Sequence, residues 1–399
     1  MLYRKVPSNG DLLSVLGFGC MRLPTMDGRI DEERAARQIR HAIDSGVNYI
    51  DTAWPYHAGE SESFLGRALA GGYREKVRLA TKLPSFLCER AEDMDRFLDT
   101  QLRKLCTGTV DYYLLHTLTG PLWDHLESLG ARKFLDRAKS DGRIVNAGFS
   151  FHGASEDFRR IVDAYPWEFC QIQYNFLDEE YQAGTKGLEY AASKGLGVVV
   201  MEPLRGGNLG LPVPPPAIAE LWKRAPLVRT PAEWALRWVW NHPEVTVVLS
   251  GMNEEKHIEE NLRIAGAALP GSLTAEELGL VGEAAAKYKE LMKVGCTGCG
   301  YCMPCPAGVA IPACFEVYNK MHLFGNVQEA LFMYAMRMSG ILRKGAPNFA
   351  SQCVQCGQCL EKCPQGLAIP DLLKQVAEEL ETPGLEERVA KARKMLNLD

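Results

Sequence analysis

The chain has 399 residues, 46% of them hydrophobic, with 45 basic and 50 acidic side chains and a net charge of −5. That length exceeds one ordinary core and suits a large domain followed by a small one. Mild acidity without a basic stretch argues against a nucleic-acid partner, no apolar run reaches the thickness of a bilayer, and the N-terminus lacks the apolar segment of a secretory signal, so a cytoplasmic protein with no membrane partner is expected.

Short apolar runs alternate with amphipathic stretches through the first two thirds of the chain. The runs fall at 15–21, 47–52, 77–82, 111–116, 144–150, 169–175, 197–203 and 245–251, and read as eight strands. Helix-patterned segments lie between them, among them 31–45, 91–105, 124–140 and 231–240. A strand-then-helix unit repeated eight times predicts an α/β fold of the (β/α)8 TIM barrel type over residues 1–272. A doubly wound open sheet is the competitor, but no Gly-x-Gly-x-x-Gly follows an early strand. In a barrel the chemistry gathers where strands end at the C-terminal face. The polar residues closing the second, third and fourth runs are Asp51, Lys82 and His116, with Tyr56 in the loop after Asp51. Trp54, His57 and Trp123, on loops of the same face, are candidate walls of a substrate pocket.

Beyond the eighth run, residues 273–294 have the pattern of a connecting helix, followed by a cysteine-rich domain over 295–375 and a charged helical tail over 376–399. Cys296, Cys299 and Cys302 precede a Cys305-Pro306 pair, and Cys353, Cys356 and Cys359 precede a Cys363-Pro364 pair. Three cysteines spaced by two residues plus a trailing Cys-Pro, occurring twice, is the arithmetic of two [4Fe–4S] clusters, whereas a zinc site closes with four ligands and has no use for the extra pattern. The expected crossover joins Cys296, Cys299, Cys302 and Cys363 on one cluster, and Cys353, Cys356, Cys359 and Cys305 on the other. The run CPAGVAIP (305–312) repeats as CPQGLAIP (363–370), an internal duplication. Segments 311–338 and 369–380 read as helical, with Pro312 and Pro370 in first turns, so a mainly helical dicluster ferredoxin is favoured over a small sheet. Cys20, Cys88, Cys106, Cys170 and Cys314 remain, each expected to be a buried apolar residue.

The runs DTAWPY (51–56), ATK (80–82) and DYYLLH (111–116) resemble the catalytic tetrad of the aldo-keto reductases in order and spacing. With the cysteines, the whole chain is similar to the subgroup of that family fused to a C-terminal dicluster ferredoxin domain. The resemblance implies an oxidoreductase that reduces a carbonyl or oxidises an alcohol. Tyr56 would be proton donor, Lys82 the cation that stabilises its phenolate, Asp51 the partner that places Lys82, and His116 the group that orients the substrate oxygen. It also implies nicotinamide contacts at Ser150 and Gln173 and adenine contacts at Glu260 and Asn261, while the glycines of LRGGN (204–208) would let the backbone at Leu204 and Gly207 approach a pyrophosphate. Phe151 stands where the family has Asn, and Met201 where it stacks an aromatic ring on nicotinamide. Gly251 and His257 replace its cations, leaving Lys256 to compensate, so NAD(P)H without strong preference for the phosphorylated form is expected.

A hydride carries two electrons and each cluster one, so the clusters are expected to link the barrel to a ferredoxin-type electron partner. No flavin signature is visible, yet a flavin or a redox-active substrate stays open as converter between the two. Two alternatives accompany this expectation: a ferredoxin-driven reductase without nicotinamide, and a barrel that serves as binding module for an iron–sulfur electron carrier.

Overall fold

The computed structural model of the protein describes residues 1–343 and 345–395. Eight parallel strands close into a barrel in sequential order: β1 (Leu16–Gly19), β2 (Tyr49–Asp51), β3 (Arg78–Leu83), β4 (Val110–Leu118), β5 (Ile144–Phe151), β6 (Phe169–Gln173), β7 (Gly197–Met201) and β8 (Val245–Ser250). All eight expected runs are strands. The helices that return the chain between them include α1 (Glu32–Asp44), α2 (Ser61–Ala68) and α3 (Ala91–Lys104). The 124–140 segment, read as one helix, is two, α4 (Gly120–Ser128) and α5 (Ala131–Ser140), broken at Leu129 and Gly130. Past the last strand, α6 (Glu255–Ala265) lies alongside α1.

Large side chains fill the barrel interior. Tyr49 meets Tyr112 at 5.4 Å between ring centroids and Tyr112 meets Phe169 at 4.9 Å, both edge to face. An antiparallel hairpin of Tyr3–Lys5 and Leu12–Ser14 sends Val6 and Leu13 into the same apolar cluster. This plugs the barrel at the end where its strands begin. Side chains that end the strands are thereby left to form the site at the other mouth.

The chain folds as two compact units. Residues 205–231, which the linear division of the sequence gives to the barrel, belong instead with 279–399 in the second unit. That unit is mainly helical, with α7 (Ile311–Phe324), α8 (Val327–Met338), α9 (Ile369–Leu380) and α10 (Leu385–Met395). Its core gathers Ile311, Phe315, Tyr318, Leu331, Tyr334, Leu373 and Val376. The 311–338 stretch breaks at Gly325, whose φ of 68° ends α7 in the left-handed conformation that glycine adopts without steric cost. The tail helix runs to Met395, and the last four residues lie outside the described ones. No described helix is long and apolar enough to cross a membrane.

Packing inside the barrel leaves little room for added volume. A methyl on Gly148 of β5 would stand 2.4 Å from the Phe169 ring. Gly148→Ala is expected to cost about 1–3 kcal/mol, read as an earlier denaturation midpoint in urea.

Candidate active site and cysteine clusters

Strands β2 and β3 are neighbours, with Asp51 paired in register to Ala80, so Asp51 and Lys82 reach the same mouth. Lys82 is fully buried and its Nζ donates to Asp51 Oδ1 at 2.6 Å, to the Thr52 carbonyl at 2.8 Å and to Tyr56 Oη at 3.5 Å. Burial drives the Lys82 pKa below that of a free lysine, against the pull of Asp51, and drives Asp51 up against the pull of Lys82. His116 is 3% exposed. Burial, with Lys82 and His152 nearby, holds its imidazole far below the usual histidine range and therefore neutral at physiological pH. Its ring centroid lies 6.3 Å from that of Tyr56. Thus the structure brings Asp51, Tyr56, Lys82 and His116 together.

A buried polar net holds this arrangement from behind. Gln101 on α3 donates to the Lys82 carbonyl at 2.9 Å and to Glu62 at 2.5 Å, while Thr81 donates to Glu62 at 2.8 Å. Phe86, half exposed after β3, places its ring 6.1 Å from His116 and forms an apolar wall. The three loop residues expected as walls do other things. Trp123 is 2% exposed and packs on Trp167, Trp54 lies between Phe97 and Lys104, and His57 Nε2 accepts the Leu23 N–H at 3.2 Å. Phe86 could have been found as the first aromatic group past the end of β3, and His152 as the first residue past the end of β5.

Other groups meet where a dinucleotide was expected. Ser150 Oγ accepts the Thr117 N–H at 2.8 Å, Gln173 Nε2 donates to Asp178 at 2.8 Å, and Gln182 Nε2 donates to Gln173 Oε1 at 3.4 Å. Phe151 is fully buried on Phe158 and Met201 packs into the barrel core. Asn261, on α6 beside Glu260, donates to Ser250 Oγ at 3.0 Å, and Lys256 pairs with Glu254 at 2.9 Å. Arg22 lies across Gly251. Ser150 and Gln173 are thus hydrogen-bonded within the protein, and Phe151 offers no polar side chain where the family has Asn.

In the second unit the cysteines gather in two sets. Cys302 lies within electrostatic reach of Cys296, Cys299 and Cys363, and Cys359 within reach of Cys353, Cys305 and Cys356. Cys305, Cys353, Cys356 and Cys359 also line one cavity, together with Cys302 of the first set and Lys362. Two Cys-x2-Cys-x2-Cys runs, each with a trailing Cys-Pro, supply eight thiolates, a donor set that fits two cubanes. Asn319 on α7 fixes the entry to the first set by accepting from Lys293 N–H and Val294 N–H at 3.1 and 2.9 Å and donating to the Val294 carbonyl at 2.7 Å. The turn at Arg205–Gly210 rests on the same segment: a Cβ on Gly206 would stand 2.1 Å from the Thr297 carbonyl, and Asn208 Nδ2 reaches the Cys296 carbonyl at 3.5 Å. Leu204 borders this turn and Gly207 is exposed within it. Among the remaining cysteines Cys20, Cys88, Cys170 and Cys314 are buried, and Cys106 is exposed, contrary to expectation, in a left-handed turn after α3.

The model of the aldo/keto reductase family matches residues 15–211 and 215–279, and that of a 4Fe-4S dicluster domain matches 295–368. The chain belongs to the aldo/keto reductase family. A probable aldo-keto reductase of Glycine max is 26% identical over 70% of this chain and 88% of its own length. L-galactose dehydrogenase of Arabidopsis thaliana is 27% identical over 65% and 86%. Among solved structures, the aldo-keto reductase AKR11C1 from Bacillus halodurans in its holo form superposes with a TM-score of 0.59 at 26% identity, covering 71% of this chain and 96% of that one. This aldo/keto reductase is an oxidoreductase with a dicluster iron–sulfur domain joined to its barrel.

The buried pair makes a stability prediction. Lys82→Met alone leaves the Asp51 carboxylate buried without its cation and is expected to cost about 3–5 kcal/mol, whereas Lys82→Met with Asp51→Leu should recover most of that loss in a urea titration.

Proposed function

We propose that the protein reduces a small carbonyl compound, or oxidises the corresponding alcohol, at Tyr56, Lys82, Asp51 and His116, and that its clusters connect this site to a one-electron partner of ferredoxin type. The observation that carries the reading is a buried ammonium 3.5 Å from a tyrosine hydroxyl and 2.6 Å from a carboxylate. As reducing equivalents reach a carbonyl carbon, charge grows on its oxygen and a proton must meet it. The Tyr56 O–H supplies that proton. A phenol is a reluctant acid with a pKa near 10, and Lys82 stabilises the phenolate left behind. Asp51 keeps the ammonium in place, and neutral His116 donates a hydrogen bond to the substrate oxygen and sets its direction.

Cys296, Cys299, Cys302 and Cys363 would hold one cluster, and Cys353, Cys356, Cys359 and Cys305 the other. Two such cubanes, when bound, pass electrons one at a time. The buried Phe151 and the core-packed Met201, respectively apolar and non-aromatic where a nicotinamide would find Asn and an aromatic ring, favour a second reading within this one, in which electrons arrive from the ferredoxin-type partner without a nicotinamide.

Tyr56→Phe is expected to lower carbonyl turnover by about a hundredfold or more with an unchanged circular dichroism spectrum; near wild-type turnover would remove Tyr56 from its role. Anaerobic protein should carry about eight irons per chain, and Cys299→Ser and Cys363→Ser should perturb the same EPR signal while Cys356→Ser and Cys305→Ser perturb the other. On addition of NADH or NADPH, bleaching of the clusters would defeat the nicotinamide-free reading, and bleaching by reduced ferredoxin alone would support it.

A further inference from the structure

Strand β4 and strand β5 end side by side at the barrel mouth. Leu118 is in register with Phe151, and the His152 N–H donates to the Leu118 carbonyl at 2.9 Å. Between His116 and Leu118 the ladder is irregular, because Thr117 has a φ of 60°. For a β-branched residue that left-handed conformation is a strained one. Ser150 Oγ holds it by accepting the Thr117 N–H. Gly153 lets the following turn close, since a methyl there would stand 2.9 Å from the Phe151 ring and 3.1 Å from the Thr119 Cα. Strain, a serine and a glycine together fix the backbone of two polar residues at adjacent strand ends beside His116.

The fold does not use those side chains fully. Thr117 Oγ1, His152 Nδ1 and His116 Nδ1 are buried and lack a hydrogen-bond partner in the protein. Orphaned polar atoms of this kind cost about 1–3 kcal/mol each unless something meets them. His152 stays neutral, its pKa lowered to about 4 by burial against the pull of a hydrogen bond with Gln182. A neutral imidazole has one N–H donor and one acceptor, and Gln182 engages only one of the two. Three orphaned groups on two adjacent strand ends exceed what a lone carbonyl oxygen needs.

We infer that Thr117 and His152 form a second oxygen subsite next to His116, which selects carbonyl compounds bearing a hydroxyl or second carbonyl on the neighbouring carbon. The subsite rests on the reacting oxygen lying at Tyr56 and His116. A substrate with both oxygens meets all three buried groups. An analogue with a methyl in place of the hydroxyl leaves Thr117 and His152 unmet, and sites built around a hydroxyl reject such analogues strongly.

The test compares hydroxyacetone with 2-butanone, which have the same heavy-atom skeleton and differ only in a hydroxyl replaced by a methyl. Each is assayed with the holoprotein and whichever of NADPH or reduced ferredoxin sustains turnover. Wild type should prefer hydroxyacetone by about tenfold or more in kcat/KM. His152→Phe and, independently, Thr117→Val, which keeps the shape, should each collapse that preference. Equal kcat/KM for both ketones, an unchanged preference in both variants, or turnover of neither ketone would overturn the subsite. Failure of the tetrad reading is recognised separately, by Tyr56→Phe turning over hydroxyacetone at the wild-type rate.

Discussion

A charged lysine sealed inside a protein is tolerable only beside a carboxylate with which it shares its charge, and the geometry of the barrel mouth follows from that requirement. Lys82 and Asp51 meet at 2.6 Å. Adjacent parallel strands in a fixed register bring them there, and the net of Gln101, Glu62 and Thr81 keeps the backbone of β3 from shifting. Because water is kept from the pair, its field acts undiluted on the Tyr56 hydroxyl, 3.5 Å from the ammonium. The hairpin of Tyr3–Lys5 and Leu12–Ser14 contributes from the far end by filling the barrel floor.

The second unit solves a different problem. Its cysteine segments have little regular structure between 292 and 310, and the helices around them supply a core that ends at the ligands. Asn319 makes three hydrogen bonds to the chain just before Cys296, replacing the ladder that a strand or helix would provide. Most cluster cysteines sit at the border between this core and solvent, and Cys356 is exposed. The second set is therefore reachable from solvent without any opening of the fold.

How much is legible in the residues depends on the range of the interaction. Strand positions and the clustering of Asp51, Tyr56, Lys82 and His116 follow from alternating apolar runs and from the rule that barrel chemistry gathers at strand ends. Helices that read as continuous, 124–140 and 311–338, are split at single glycines, because amphipathic periodicity persists across a two-residue break. Pocket walls escape a linear reading for a related reason: Trp123 lies on the correct loop, but it turns inward to Trp167, and sequence order gives no side-chain direction. Thr117 carries no signal until its left-handed φ sets it apart from the strand, and His152 is marked only by its place just past the end of β5.

The turn at Arg205–Gly210 bears on how such a chimera can be taken apart. It follows strand β7 within the barrel portion of the sequence, yet Gly206 is fitted against the Thr297 carbonyl and Asn208 against that of Cys296. A simple fusion of genes would leave two modules on a string, each able to exist without the other. Here the seam does not fall at one point of the chain, because a loop between two barrel strands braces a metal-binding segment made much later. During synthesis that loop emerges before Cys296 and Thr297, the residues it is fitted against, so its contacts must wait for the cysteine segment.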